Sequence, residues 1–183
     1  VLSLALDRAS PSTIYAGTAY DAMFKSSDAG ATWVMANVGL AAVDVRVLAV
    51  DPATPAKIYA GVLGGIFKSL DSGRSWTTAE VGLSDINVYS LAIDPANPET
   101  LFAATFGGGA FKSTDGGGNW LPSNSGLTNP YVRAVAIAPS SPSTLYAATY
   151  YGVFKSIDSG ANWTLANSGL EGLHILTLAI DPF

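Results

Sequence analysis

Four short segments of this chain bring a serine, an aspartate, a glycine and a tryptophan into one eight-residue window: SSDAGATW at 26–33, SLDSGRSW at 69–76, STDGGGNW at 113–120 and SIDSGANW at 156–163. A carboxylate beside a hydroxyl invites two chemical readings, an acid–base residue or an oxygen ligand for calcium. A calcium loop needs several oxygen ligands converging on one point, and these windows lack them. A catalytic residue is rarely needed four times, whereas a turn is needed in every repeat. Asp28, Asp71, Asp115 and Asp158 therefore read as acceptors for turn amides two residues on, with the hydroxyls of Ser26, Ser69, Ser113 and Ser156 beside them. Gly30, Gly73, Gly117 and Gly160 supply the positive φ of a tight connection. Trp33, Trp76, Trp120 and Trp163 each bury a large ring that anchors the turn.

The elements that must carry these turns repeat with them. The tryptophans recur at intervals of 43, 44 and 43 residues, within the period of about 40–45 expected of four-stranded propeller blades. VLSLALD, VRVLAVDP, VYSLAIDP, VRAVAIAP and ILTLAIDP open five successive units. TIYAGT, KIYAGV, TLFAAT and TLYAAT follow, then MFKSSD, IFKSLD, FKSTD and VFKSID, and finally the tryptophan segment and a Gly-Leu pair. Each run is rich in Val, Ile, Leu, Tyr, Phe or Thr and bounded by turn residues, the pattern of strands. Helices would need apolar periodicity over about ten residues without Gly or Pro, and no unit offers that. Four strands per unit form a small antiparallel sheet that cannot cover its own faces, so neighbours must stack on it.

The expected architecture is all-β: a β-propeller of four-stranded antiparallel blades, with repeats at 1–44, 45–87, 88–131 and 132–174 and a partial one at 175–183 that holds the first strand of a fifth blade. Val1–Asp7 and Ile175–Asp181 share one blade phase, so the two ends duplicate rather than complement each other. That duplication predicts a segment of a longer propeller of seven or eight blades, or else self-association between chains through the unpaired blade edges. Strand parity sorts the loops. The S-x-D-x-G turns and the Asp-Pro turns share one face, and the second-to-third strand loops and the Gly-Leu loops gather on the opposite one.

S-x-D-x-G-x-[ST]-W, once per blade, resembles the Asp-box or BNR repeat of sialidases, sortilin-type receptors, xyloglucan-cleaving endoglucanases and photosystem II assembly factors. The last polar position departs to Asn119 and Asn162 in two copies. The resemblance implies a propeller whose box is a fold element on the face away from any active site. It implies no one function, because the repeat occurs in enzymes, receptors and assembly factors alike.

Function is expected where the repeats differ. The lysines of the four FKS segments, Lys25, Lys68, Lys112 and Lys155, recur at one position and read as solvated or cross-blade structural groups. The aspartates ending the first strands, Asp7, Asp51, Asp94 and Asp181, read as turn residues, with Ala138 the exception. The variable loops instead carry Tyr20, Arg46, Tyr89, Phe106, Tyr131, Arg133, Tyr150 and Tyr151, a candidate ligand-binding set. Aromatic rings among glycines and a few polar groups suit a sugar, whose apolar faces stack on rings. The bland alternative is ordinary loop surface. The non-repeated acids there are Asp21, Asp44, Asp85 and Glu171, with His174 nearby; Asp21 and Asp85 are the weak candidates for a glycosidase, which needs two carboxylates about 5–10 Å apart. Nothing in their spacing pairs them. A sialidase is disfavoured, since the resemblance would require an arginine triad and only Arg46 and Arg133 occupy an inner-strand position.

Composition narrows the partners. A net charge of −5 with nine scattered Lys and Arg argues against nucleic acid and anionic membrane surfaces, which require a basic patch. No apolar run reaches the roughly 18–20 residues of a membrane span. Without cysteine and with one histidine, neither a thiolate nor a His cluster is available for a metal, and no cofactor is expected. The reading is a non-catalytic binding or scaffold module of a secreted or surface protein, extracellular or periplasmic, with a polysaccharide or protein ligand. The alternative is a portion of a xyloglucanase-like glycoside hydrolase acting on β-glucans.

Overall fold

A computed structural model describes residues 1–20, 23–40 and 44–181. Among them there is no helix and there are sixteen strands in four sheets. The first sheet holds β1 (Ser3–Leu6), β2 (Ile14–Gly17), β3 (Met23–Ser26) and β4 (Val34–Met35); the second β5 (Val45–Val50), β6 (Ile58–Val62), β7 (Gly65–Ser69) and β8 (Thr77–Thr78). The third holds β9 (Val88–Ile93), β10 (Leu101–Thr105), β11 (Ala110–Ser113) and β12 (Leu121–Pro122); the fourth β13 (Val132–Ile137), β14 (Leu145–Thr149), β15 (Gly152–Ser156) and β16 (Thr164–Leu165). Every sheet runs in sequence order with antiparallel neighbours. The chain is a partial propeller of four blades.

The first strands β1, β5, β9 and β13 pack side by side, and the outermost strands are two-residue edges with both residues exposed. Coverage explains the burial of what lies between. The second strands β6 and β10 belong to blades with a neighbour on either side and are buried at every position. β1 alternates between half-buried and exposed because one face of its sheet has no neighbour among the described residues. The hydrophobic core is accordingly three layers, each shared by two blades. One joins Tyr15 and Met23 to Ile58 and Trp76, the next Tyr59 and Ile66 to Leu101 and Trp120, the third Phe102 and Ala110 to Leu145 and Trp163.

The stretch 175–181, expected as the first strand of a fifth blade, forms no strand. In the other blades the first strand is held by the second strand of its own blade, and here none follows among the described residues. Ile175 N donates to Thr149 O of the fourth blade at 3.1 Å, the same entry contact that Val45 N makes with Thr18 O of the first.

Candidate functional site

The S-x-D-x-G turns are one device built four times. Each serine hydroxyl donates to the aspartate Oδ1 (2.7–2.8 Å) and accepts from the glycine N–H (2.8–3.0 Å). The amides of Thr32, Ser75, Asn119 and Asn162 donate to the same Oδ1, each at 2.8 Å, and their side chains donate to Oδ2. Asn therefore replaces Ser or Thr without losing a bond. These donors, the side chain first and then the amide, hold the four carboxyls down at about 2. A carboxylate so saturated is a turn fixture and a poor proton acceptor.

The tryptophans do more than anchor their own turns. Trp76, Trp120 and Trp163 donate their indole N–H to Ala36, Ala79 and Ser123 carbonyls of the preceding blade. Lys25, Lys68 and Lys112 reach the other way, to the Ser72, Gly116 and Ser159 carbonyls in the turn of the following blade. Trp33 departs from its expected burial. It is 40% exposed, whereas Trp76, Trp120 and Trp163 are buried, because no blade precedes it among the described residues. Asp7, Asp51 and Asp94 accept from the amides two and three residues on, as turn residues do.

The variable loops meet at the other end of the strands. Isolated bridges join Leu63 to Asn87 and Phe106 to Tyr131, each tying a second-to-third strand loop to the entry of the next blade. Just past those entries the inner strands bulge. Val45 pairs with Val62 and Val47 with Gly61, leaving Arg46 as the extra residue; Tyr89 and Arg133 occupy the same place in β9 and β13. A bulge re-aims its side chain. Here it lines up three: the Arg46 and Arg133 guanidinium carbons lie 4.6 and 4.4 Å from the centre of the Tyr89 ring. Arg133 also faces the rings of Phe106 and Tyr150 at 5.4 and 5.5 Å. Arg46 Nη1 and Arg133 Nε are buried without a hydrogen-bond partner, so ring faces stand where water would otherwise solvate the charge.

From this stack the rings continue outward. Tyr89, Phe106, Tyr131 and Tyr150 follow one another at centroid separations of 5.0–5.9 Å, and His174 closes on Tyr150 at 4.5 Å. Phe106, Tyr131, Tyr150, Tyr151 and His174 line an open trough of about 340 Å³. Seven of the eight ligand-site candidates thus fall in one connected group. The eighth, Tyr20, stands apart, 83% exposed, with no ring contact to the group and a left-handed φ of 86°. His174, which the sequence puts beside the non-repeated acids of the variable loops and outside the ligand-binding set, also lines the trough.

The carboxylates are occupied differently. Asp85 Oδ1 accepts from Asn87 N at 2.8 Å and its Oδ2 from Gly108 N at 2.9 Å, which pins the Phe106–Gly109 loop. Asp44 lies 3.9 Å from Arg46, and Glu171 accepts from Gly169 N. No hydrogen bond joins Asp44, Asp85 and Glu171 to one another among the described residues. Asp21 lies outside the described residues.

No protein-family profile matches the chain, and no curated protein does. Solved structures do. A GH74 xyloglucanase from Xanthomonas campestris superimposes with a TM-score of 0.76 at 19% identity, over 90% of this chain and 30% of its own. The extracellular domain of a B. thetaiotaomicron protein gives 0.70 at 15% identity, over 92% and 25%. YCF48 bound to a D1 peptide gives 0.68 at 17%, over 95% and 57%. These likenesses place the fold among β-propellers, in which glycoside hydrolases and other propellers both occur. The chain spans less than a third of the length of the xyloglucanase.

Proposed function

We propose that the chain is a non-catalytic binding or scaffold module of the Asp-box type, part of a secreted or surface protein outside the cytoplasm, and that its ring-lined trough holds a polysaccharide. The observation that carries this reading is the continuous series of rings from Tyr89 to His174 on the face opposite the S-x-D-x-G turns. Pyranose C–H faces stack on such rings, while the tyrosine hydroxyls and the imidazole offer partners for sugar hydroxyls. Asp85 and Glu171 are engaged by backbone amides and Asp44 by Arg46, an arrangement that suits holding loops in place, while Glu80 Oε2 is buried without a hydrogen-bond partner. A xyloglucan, a neutral β-glucan and a uronate-containing polymer, each cast into a native gel, test the reading. At least one should retard the chain, and Tyr150→Ala and Tyr131→Ala should each abolish the retardation. Unaltered mobility in all three gels, or retardation that both variants retain, refutes the trough as a sugar site and leaves a protein ligand as the reading to pursue.

The likeness to a GH74 xyloglucanase favours a second reading, that these blades form part of a β-glucan hydrolase. Incubation with xyloglucan would then release new reducing ends, and Asp21→Ala or Asp85→Ala would stop it. Retardation without new reducing ends favours the binding module.

A further inference from the structure

Both loops that carry the rings of the trough are clamped. Asn124 Oδ1 accepts from Ala110 N at 2.8 Å and its Nδ2 donates to Gly108 O at 2.9 Å, while Asp85 Oδ2 accepts from Gly108 N at 2.9 Å. The loop bearing Phe106 is thus held at an amide and at a carbonyl of one residue. In the next blade Thr149 Oγ1 accepts from Tyr151 N at 3.1 Å and donates to Gly152 O at 2.9 Å, and Asn167 Oδ1 accepts from Val153 N at 3.3 Å. A ligand therefore meets a preformed cavity of about 340 Å³, at the small end of the roughly 300–1,000 Å³ of ligand sites.

Two features of that cavity decide which part of a polymer it can take. Its rings form no platform: Phe106 and Tyr131, Tyr131 and Tyr150, and Tyr150 and His174 are inclined to one another by 50°, 87° and 78°. An extended sugar ribbon stacks along coplanar rings, whereas inclined rings offer their faces and edges to one sugar unit from more than one side. The inner end of the cavity is also closed. Tyr89, the next ring inward at 5.6 Å from Phe106, lies between the guanidiniums of Arg46 and Arg133 at 4.6 and 4.4 Å. Arg133 faces Phe106 and Tyr150 as well, and Arg46 Nη1 and Arg133 Nε are buried. The ring faces beyond Phe106 are thus taken by the chain's own cations, and no second sugar can stack there. This closure is made by β5, β9 and β13, which belong to blades whose four strands all lie within the chain.

We propose that the trough recognises the end of a glycan main chain and holds its terminal sugar unit, with the Arg46–Tyr89–Arg133 stack as the stop that keeps a chain from running through. The inference rests on the sugar reading of the trough and specifies the part of the polymer that it takes.

Calorimetric titration of residues 1–183 with xyloglucan, a neutral β-glucan and a uronate-containing polymer tests it, each polymer used intact and after partial hydrolysis at constant mass. For any polymer that binds, the number of sites should rise in proportion to the chain ends, counted by a reducing-end assay, while affinity per end stays within about threefold. Short oligosaccharides from the same hydrolysate should compete with the intact polymer. His174→Ala and Tyr151→Ala, both exposed side chains, should leave circular dichroism unchanged and weaken oligosaccharide binding by about three- to tenfold, the worth of about one ring contact. Site numbers that follow polymer mass whatever its length, affinity that climbs with each added unit, or binding indifferent to both substitutions overturn the inference and leave the sugar reading standing. If no polymer and no hydrolysate binds, the sugar reading falls and this inference falls with it.

Discussion

Four tryptophans that are equivalent in sequence are unequal in the fold, and their replacement should show it. Trp120 is 1% exposed and its indole N–H donates to Ala79 O at 2.8 Å. Trp120→Ala removes a fully buried ring and leaves that carbonyl buried without a donor, a loss of about 3–5 kcal/mol. Trp33 is 40% exposed; with about three-fifths of the transfer term and no indole hydrogen bond to lose, Trp33→Ala should cost about 1–2.5 kcal/mol. The difference of about 2 kcal/mol corresponds to about 4–8 °C in Tm for a chain of this size. Urea and thermal unfolding at nanomolar concentration, below any association, measure both. Trp120→Phe and Trp33→Phe refine the comparison, since the first strands the Ala79 carbonyl and the second strands nothing. Equal costs for Trp33→Ala and Trp120→Ala would refute the reasoning that each tryptophan acts across the junction to the blade before it.

Acid should loosen the turns together. The four turn carboxyls sit at about 2 against an ordinary value of 3.8, so their contribution is complete above about pH 4 and is lost as pH falls through about 2. The urea midpoint should fall across that window, and Asp115→Asn should flatten the fall; a midpoint independent of pH there contradicts the assignment. Gly82→Ala should destabilise more than Gly169→Ala. Both have left-handed φ, 91° and 85°, but only a Cβ at Gly82 runs into the Trp120 carbonyl. Thermal unfolding at low concentration compares them, and equal losses would refute the close approach. Asp85→Ala should increase hydrogen exchange at Gly108 by freeing its amide, and unchanged protection there would remove the loop-pinning role.

The strands, the turns and the blade count within 1–174 are legible in the sequence, because each is set by interactions inside one repeat. The Asp28 turn closes over the seven residues from Ser26 to Thr32, so its spelling contains its physics. The trough is different. Arg46, Tyr89 and Arg133 share a register position readable from VRVLAV, VYSLAI and VRAVAI, yet the bulges that turn them toward one another follow from pairing with the second strands. Asp85 reads in sequence as a non-repeated acid because, of its two partners, Gly108 is 23 residues away in the next loop. His174 joins Tyr150 only once the entry of the fifth unit lies against the fourth blade, where Ile175 N donates to Thr149 O as Val45 N does to Thr18 O. The inequality of Trp33 had no local signal at all. A repeat encodes what each blade does to itself, while burial at a junction depends on which blade stands beside it, and that is decided by stacking in three dimensions.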